Sequence, residues 1–99
     1  MTGVRAVITG ECTLAFRRFA LPERLEPAQV LVRMERTIIS AGTELANYTG
    51  LEPDTRIPGR WCCYPWNPGY GGIGRVAAAG AEVTHLRPGQ RVYGTFNHA

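Results

Sequence analysis

The chain contains no lysine, and all eleven of its basic residues are arginine. Without lysine there is no P-loop cation and no amine for a Schiff base. Serine occurs once, as Ser40, and no aspartate stands near His85 or His98 by sequence logic, so a hydrolase triad lacks its parts and both histidines read as solvated. No apolar stretch approaches the roughly 20 residues of a membrane span. The start, Met1-Thr2-Gly3-Val4-Arg5-Ala6-Val7, has neither the basic region nor the long apolar core of a secretory leader. A cytoplasmic location is the expectation. Cysteine is scarce: Cys12, Cys62 and Cys63 are odd in number and two are adjacent, which fits neither a disulfide framework nor a CxxC metal knuckle. They read as reduced, buried thiols. Asn47-Tyr48-Thr49 satisfies the glycosylation sequon but, with no secretory route, meets no glycosylating enzyme.

At 99 residues the chain is a single domain, which buries roughly 60 to 65% of the surface its unfolded form exposes. With 44% hydrophobic and 19% charged residues it has the composition of a soluble globular protein. Its net charge of +3 is spread from Arg5 to Arg91 and forms no stripe, which argues against a nucleic-acid partner.

Val4 to Thr9 is a β-branched run ending at Gly10, and Cys12 to Phe19 resumes with Leu14 and Phe16 in alternation; together they predict a hairpin. Pro22 to Pro27 is a polar connector. Gln29 to Ile39 alternates Val30, Val32 and Met34 against Leu31, Arg33 and Glu35, the signature of the longest strand. Gly42 should break it, with Thr43 as N-cap and Glu44 as a first-turn acid opening a short helix that ends near Gly50. Leu51 to Pro68 holds four prolines and no periodicity, the mark of a long ordered loop. Gly72 to Ala81 returns to β structure, and the turn Leu86-Arg87-Pro88-Gly89-Gln90 delivers a last strand, Arg91 to Phe96. Short strands with Gly and Pro corners predict a mainly β fold, a small, partly open barrel with one or two short helices. Asn97-His98-Ala99 follow an apolar strand directly, so the barrel is expected to be truncated at its C-terminus.

Three segments carry a resemblance: Ile39-Ser40-Ala41-Gly42-Thr43-Glu44, Pro68-Gly69-Tyr70 through Gly74-Arg75-Val76 with Gly80, and Leu86 through Val92. Across nearly the whole chain they resemble the N-terminal, GroES-like catalytic domain of the medium-chain dehydrogenase/reductase superfamily, which contains alcohol dehydrogenases and quinone oxidoreductases. Zinc-dependent members place cysteine where this sequence has Ala41, and a His-Glu pair where it has Tyr70-Gly71. Neither side chain here is a zinc ligand at neutral pH, and Cys62-Cys63 lack the spacing of the family's structural-zinc lobe. The resemblance therefore implies no metal.

It implies Thr43 as the hydroxyl that relays protons to a substrate oxygen, against an N-cap role contributing about 1 kcal/mol. Glu44 stands where the family usually has aspartate. Here it either forms an acid–phenol hydrogen bond with Tyr70 or stabilises the helix dipole. Tyr70 is a candidate donor to a substrate carbonyl, the polarising work zinc otherwise does. Tyr48 and Glu44 join Trp61, Tyr64 and Trp66 as candidate substrate-binding residues, the three loop aromatics either walling an apolar slot or covering a small core.

Gly69-Tyr70-Gly71-Gly72-Ile73-Gly74 formally matches GxGxxG, but prolines precede it, a β-like segment follows, and no acid stands about 20 positions on. Nucleotide binding at this site is rejected. The resemblance implies NAD(P) as cofactor of the full-length enzyme, bound by a Rossmann domain in cis or trans that residues 1–99 do not contain. Implied partners are a small-molecule carbonyl, alcohol or activated alkene, and a second copy of the chain as homo-oligomer, with no nucleic acid and no membrane. Alone, the chain is expected not to transfer hydride. The alternative is a free-standing GroES-like binding or assembly module.

Overall fold

The computed structural model describes all residues, Met1–Ala99, and its architecture is mainly β. In chain order it comprises β1 (Thr2–Gly10), β2 (Thr13–Ala20), β3 (Val30–Ile38), α1 (Ala41–Thr49), a short 3-10 helix (Pro53–Arg56), β4 (Gly71–Ala79) and β5 (Arg91–Gly94). β1 and β2 form an antiparallel hairpin, while β3, β4 and β5 form a separate antiparallel sheet in that order. The expected barrel is open: the two sheets do not close on one another. An isolated antiparallel bridge, in which Ile8 and Trp66 exchange backbone bonds of 2.9 and 2.8 Å, ties β1 to the long loop that precedes β4. No helix is long and apolar enough to cross a membrane.

β3 is where alternation and register part company. Val32 pairs with Val76 and Met34 with Gly74, but Arg36 pairs with Ile73, so Glu35 is looped out as a bulge. A one-residue insertion reverses the faces beyond it. Thr37 consequently turns inward and Ile38 outward. The facing glycines answer the same crowding: a Cβ on Gly72 would lie 2.6 Å from the Arg36 carbonyl oxygen, and one on Gly74 2.5 Å from that of Arg33. Glycine at these positions therefore admits the bulged strand. The run opens a strand, β4, instead of a helix. Glu35, at the bulge, reaches Arg75 at 3.4 Å and Arg91 at 3.0 Å. It thereby sits between two of the three arginines, Arg33, Arg75 and Arg91, that the register sets in a row across the sheet. Exposed pairs of this kind contribute about 0 to 1 kcal/mol each.

Two local expectations are corrected. The helix starts before Gly42, with Ser40 as its N-cap residue; Thr43 lies inside the first turn because the Glu44 carboxylate, one residue further on, reaches back to the Ser40 N–H. The helix ends as expected, with Gly50 at φ 74. Of the three thiols, only Cys62 is buried; Cys63 is half-buried, and Cys12 is exposed at the tip of the β1–β2 hairpin. Asn47 of the sequon is 1% exposed, and its inaccessibility alone bars modification of the folded chain.

The buried core is small: Ala6, Val7 and Ile8 of β1, Val76 of β4 and Cys62 of the loop. Burial pushes the Cys62 thiol up from its ordinary value of 9.0, and the Glu52 and Asp54 carboxylates add to the effect. A group held protonated in the fold contributes stability that is complete at neutral pH and is lost as the unfolded chain begins to ionise. Denaturant unfolding against pH should therefore show an alkaline loss above 9.0, at most about 1.4 kcal/mol per pH unit from this thiol. Cys62→Ala should flatten that limb at a cost of about 1 kcal/mol at neutral pH.

Candidate functional site

The site grows from the junction of β3 and α1. Glu44 is 7% exposed, and one of its carboxylate oxygens accepts the Ser40 N–H at 2.7 Å. This supplies the acid's half of a capping box, satisfying the N–H of the N-cap residue, while the Ser40 hydroxyl makes no capping bond. The other oxygen lies 2.8 Å from Nε2 of His98. Nδ1 of His98 lies 2.7 Å from the Thr37 hydroxyl. The three side chains form one hydrogen-bonded line, Thr37–His98–Glu44, with the His98 side chain only 17% exposed.

Backbone contacts explain how His98, expected to be solvated, is held here. Its N–H donates to the Pro68 carbonyl at 2.9 Å, and its carbonyl accepts the Ala6 N–H at 2.8 Å. The segment Phe96–Ala99 is thus clasped between β1 and the Pro68–Gly69 strand entry. Gly69 permits that approach. It has φ 147, and a Cβ there would fall 2.2 Å from Asn97 Cα.

This line of polar groups forms one end of a cleft of about 350 Å³. The remaining walls are largely aliphatic and aromatic: Leu14 and Phe16 from the hairpin, Ile39 from the end of β3, Leu45 from the helix. Tyr48 closes one side, where its hydroxyl donates to the Cys12 carbonyl at 3.0 Å and ties the helix to the hairpin turn. Thr37 and His98 also line a second hollow of about 280 Å³ on their other side, near Glu35 and Arg36. An apolar cavity with a few convergent polar groups is the usual form of a small-molecule site.

Of the residues singled out from sequence, Glu44 and Tyr48 line this cleft. Thr43 is exposed on the first turn of α1, and Tyr70 is 62% exposed at the entry to β4. The acid–phenol bond between Glu44 and Tyr70 is not formed: the Glu44 oxygens bond Ser40 and His98, and Tyr70 points its phenol into an exposed position. Trp61 meets Trp66 edge-on at 5.8 Å between ring centres, Trp66 carries the bridge to Ile8, and the Tyr64 hydroxyl donates to the Asn47 carbonyl. Tyr64 and Trp66 thus fasten the long loop to the helix and the hairpin, with Trp61 exposed against Trp66, and none of the three lines the cleft. Thr37 and His98 went unread in the sequence: the bulge that turns Thr37 inward and the clasp that holds His98 are both products of tertiary pairing.

The positions where the resemblance puts zinc ligands do not fit that ion. Ala41 has no donor atom, Tyr70 offers an exposed phenol, and no three His, Cys, Asp or Glu side chains converge anywhere. Glu44 and His98, the nearest other donors, already satisfy one another and their neighbours.

The fold is that of the β domain found in alcohol dehydrogenase-like oxidoreductases. Residues 26–98 match the alcohol dehydrogenase GroES-like domain, and the chain belongs to that family. It is 36% identical over 93 residues to the 2-desacetyl-2-hydroxyethyl bacteriochlorophyllide A dehydrogenase of Cereibacter sphaeroides, covering 94% of this chain and 27% of that enzyme. It superposes on the alcohol dehydrogenase TADH from Thermus sp. ATN1 with a TM-score of 0.67 and 27% identity, over 93% of this chain and 24% of that one. The chain thus spans about a quarter of the length of these relatives.

The clasp generates a test. Gly69→Ala should destabilise the fold by about 2 to 3 kcal/mol and release His98 from Glu44. Denaturant unfolding reads the first effect, and the imidazole NMR signals of His98 moving to the positions of exposed His85 read the second.

Proposed function

We propose that this chain is the substrate-side portion of a zinc-independent, NAD(P)-dependent oxidoreductase acting on a small carbonyl, alcohol or activated alkene. Family membership supports the reaction class. The observation that carries the rest is the cleft itself, whose apolar walls end in a hydroxyl, an imidazole and a carboxylate. Such a cleft takes the hydrocarbon part of a substrate against Leu14, Phe16, Ile39 and Leu45 and directs its oxygen to the polar end. The donor chemistry of Ala41 and Tyr70 supports the reading that a metal does not polarise that oxygen.

The nicotinamide supplies hydride when bound, and its binding residues belong to a Rossmann domain beyond these 99 residues. The glycine run of this chain does not fit a dinucleotide, as it leads into β4. The isolated chain therefore holds and orients the substrate but does not turn it over. Thr43 and Tyr70, exposed at the start of α1 and of β4, stand free to meet substrate or cofactor where that second domain docks. Cytoplasmic location and a homo-oligomeric state accord with the same reading.

Titration of the chain with cyclohexanone, followed by NMR, tests it. The expected result is saturable shifts at Leu14, Phe16, Ile39 and Leu45, with none on adding NADPH. Leu45→Ala should weaken ketone binding about tenfold, the equivalent of about 1.4 kcal/mol of lost apolar contact. Ketone shifts confined to other surfaces, or tight NADPH binding by the chain alone, overturn the assignment.

A further inference from the structure

We infer that Thr37 is the hydroxyl that meets the substrate oxygen and that His98, backed by Glu44, is the proton store behind it. The inference rests on the proposed function and assigns its proton-transfer half to three residues that lie far apart in the sequence.

The hydrogen-bond line has a direction set by its ends. An ionised carboxylate only accepts, so the Glu44 oxygen at 2.8 Å calls for a hydrogen on Nε2 of His98. The second Glu44 oxygen is fixed by the Ser40 N–H, which prevents the carboxylate from swinging away. With Nε2 committed, only Nδ1 changes its role. In the neutral imidazole, Nδ1 accepts the Thr37 O–H; in the imidazolium, Nδ1 donates and the Thr37 hydrogen is free to point elsewhere. No other side chain bonds the Thr37 hydroxyl, and Thr37 lines the cleft. Protonation of His98 thus converts Thr37 from a donor to the ring into a donor to whatever occupies the cleft.

Applied to a carbonyl reduced by a hydride donor of the nicotinamide class, the atoms balance. The carbonyl carbon gains the hydride and its electron pair, and the C=O π pair moves onto oxygen. That oxygen takes the Thr37 proton, and Thr37 is refilled by the Nδ1 proton of His98. The ring ends neutral, with its Nε2–H still donating to Glu44. In the oxidative direction each transfer reverses. Thr37 touches the substrate oxygen and is the catalytic residue of this step. His98 acts through Thr37, and Glu44 fixes the tautomer and position of His98.

Two measurements on the chain decide the matter. The first, without ligand, is nitrogen NMR of the labelled imidazoles, with exposed His85 as internal reference. In its neutral form His98 should be a single Nε2–H tautomer with a hydrogen-bonded Nδ1, whereas neutral His85 averages its two tautomers. Glu44→Gln should abolish the preference. Thr37→Val should remove the Nδ1 hydrogen-bond shift and leave Nε2 as it was, which also shows that the variant is folded; Thr37→Ser should restore it. Averaged tautomers at His98 in the unaltered chain overturn the proposal irrespective of ligand binding.

The second follows the carbonyl carbon of isotopically labelled cyclohexanone in the cleft. It should move downfield on binding as its oxygen accepts a hydrogen bond, and Thr37→Val should abolish that movement while retaining binding, with Thr37→Ser behaving as the unaltered chain. Loss of the shift on Thr43→Val and not on Thr37→Val overturns the assignment to Thr37 and leaves the proposed function standing. Failure of the ketone to bind at all overturns both.

Discussion

The carboxylate of Glu44 is the point on which the architecture around the cleft turns. A buried acid must find partners for both oxygens, and here each partner belongs to a different layer of the molecule. One oxygen closes the start of α1 on Ser40; the other takes in His98 from a segment clasped between the hairpin and β4. Without the first, the helix has no side-chain cap, since the Ser40 hydroxyl makes no capping bond. Without the second, an imidazole at the margin of the core has one satisfied nitrogen and one desolvated one. One side chain therefore sets both the shape of the local backbone and the polarity of the cleft's closed end.

Sequence reading went far where the signals are local. The hairpin, the long strand ending near Ile39, the helix stop at Gly50 and the Pro88-Gly89 corner all appear within a few residues of where periodicity and turn chemistry place them. These rest on side-chain alternation and on φ preferences, which neighbours alone determine. The motif segments were enough to place the chain in its family. Glu44 was legible as a first-turn acid, because that follows from the position of α1.

What sequence could not supply depends on pairing across distance. The face that Thr37 presents is set by the Glu35 bulge, which exists only because Arg36 pairs with Ile73. His98 reads as a solvated residue until Pro68 and Ala6 grip its backbone. The loop aromatics offered two roles at equal weight, lining a slot or covering a core. The bond from Tyr64 to Asn47 and the strand-like bridge from Trp66 to Ile8 place them as fasteners between elements. The cap moved from Thr43 to Ser40 for a similar reason, because the reach of an acid side chain decided it and the local hydroxyl preference did not.

The two sheets that wall the cleft meet along a seam with no strand pairing across it, where the loop residue Trp66 bridges Ile8 and His98 bonds the backbone of Ala6 and Pro68. A molecule lying across that seam touches both walls, so its affinity and the alignment of the walls are thermodynamically linked. Occupancy then acts as a splint: each ligand that spans the gap adds contacts where the protein itself has few, and melting temperature climbs with ligand concentration.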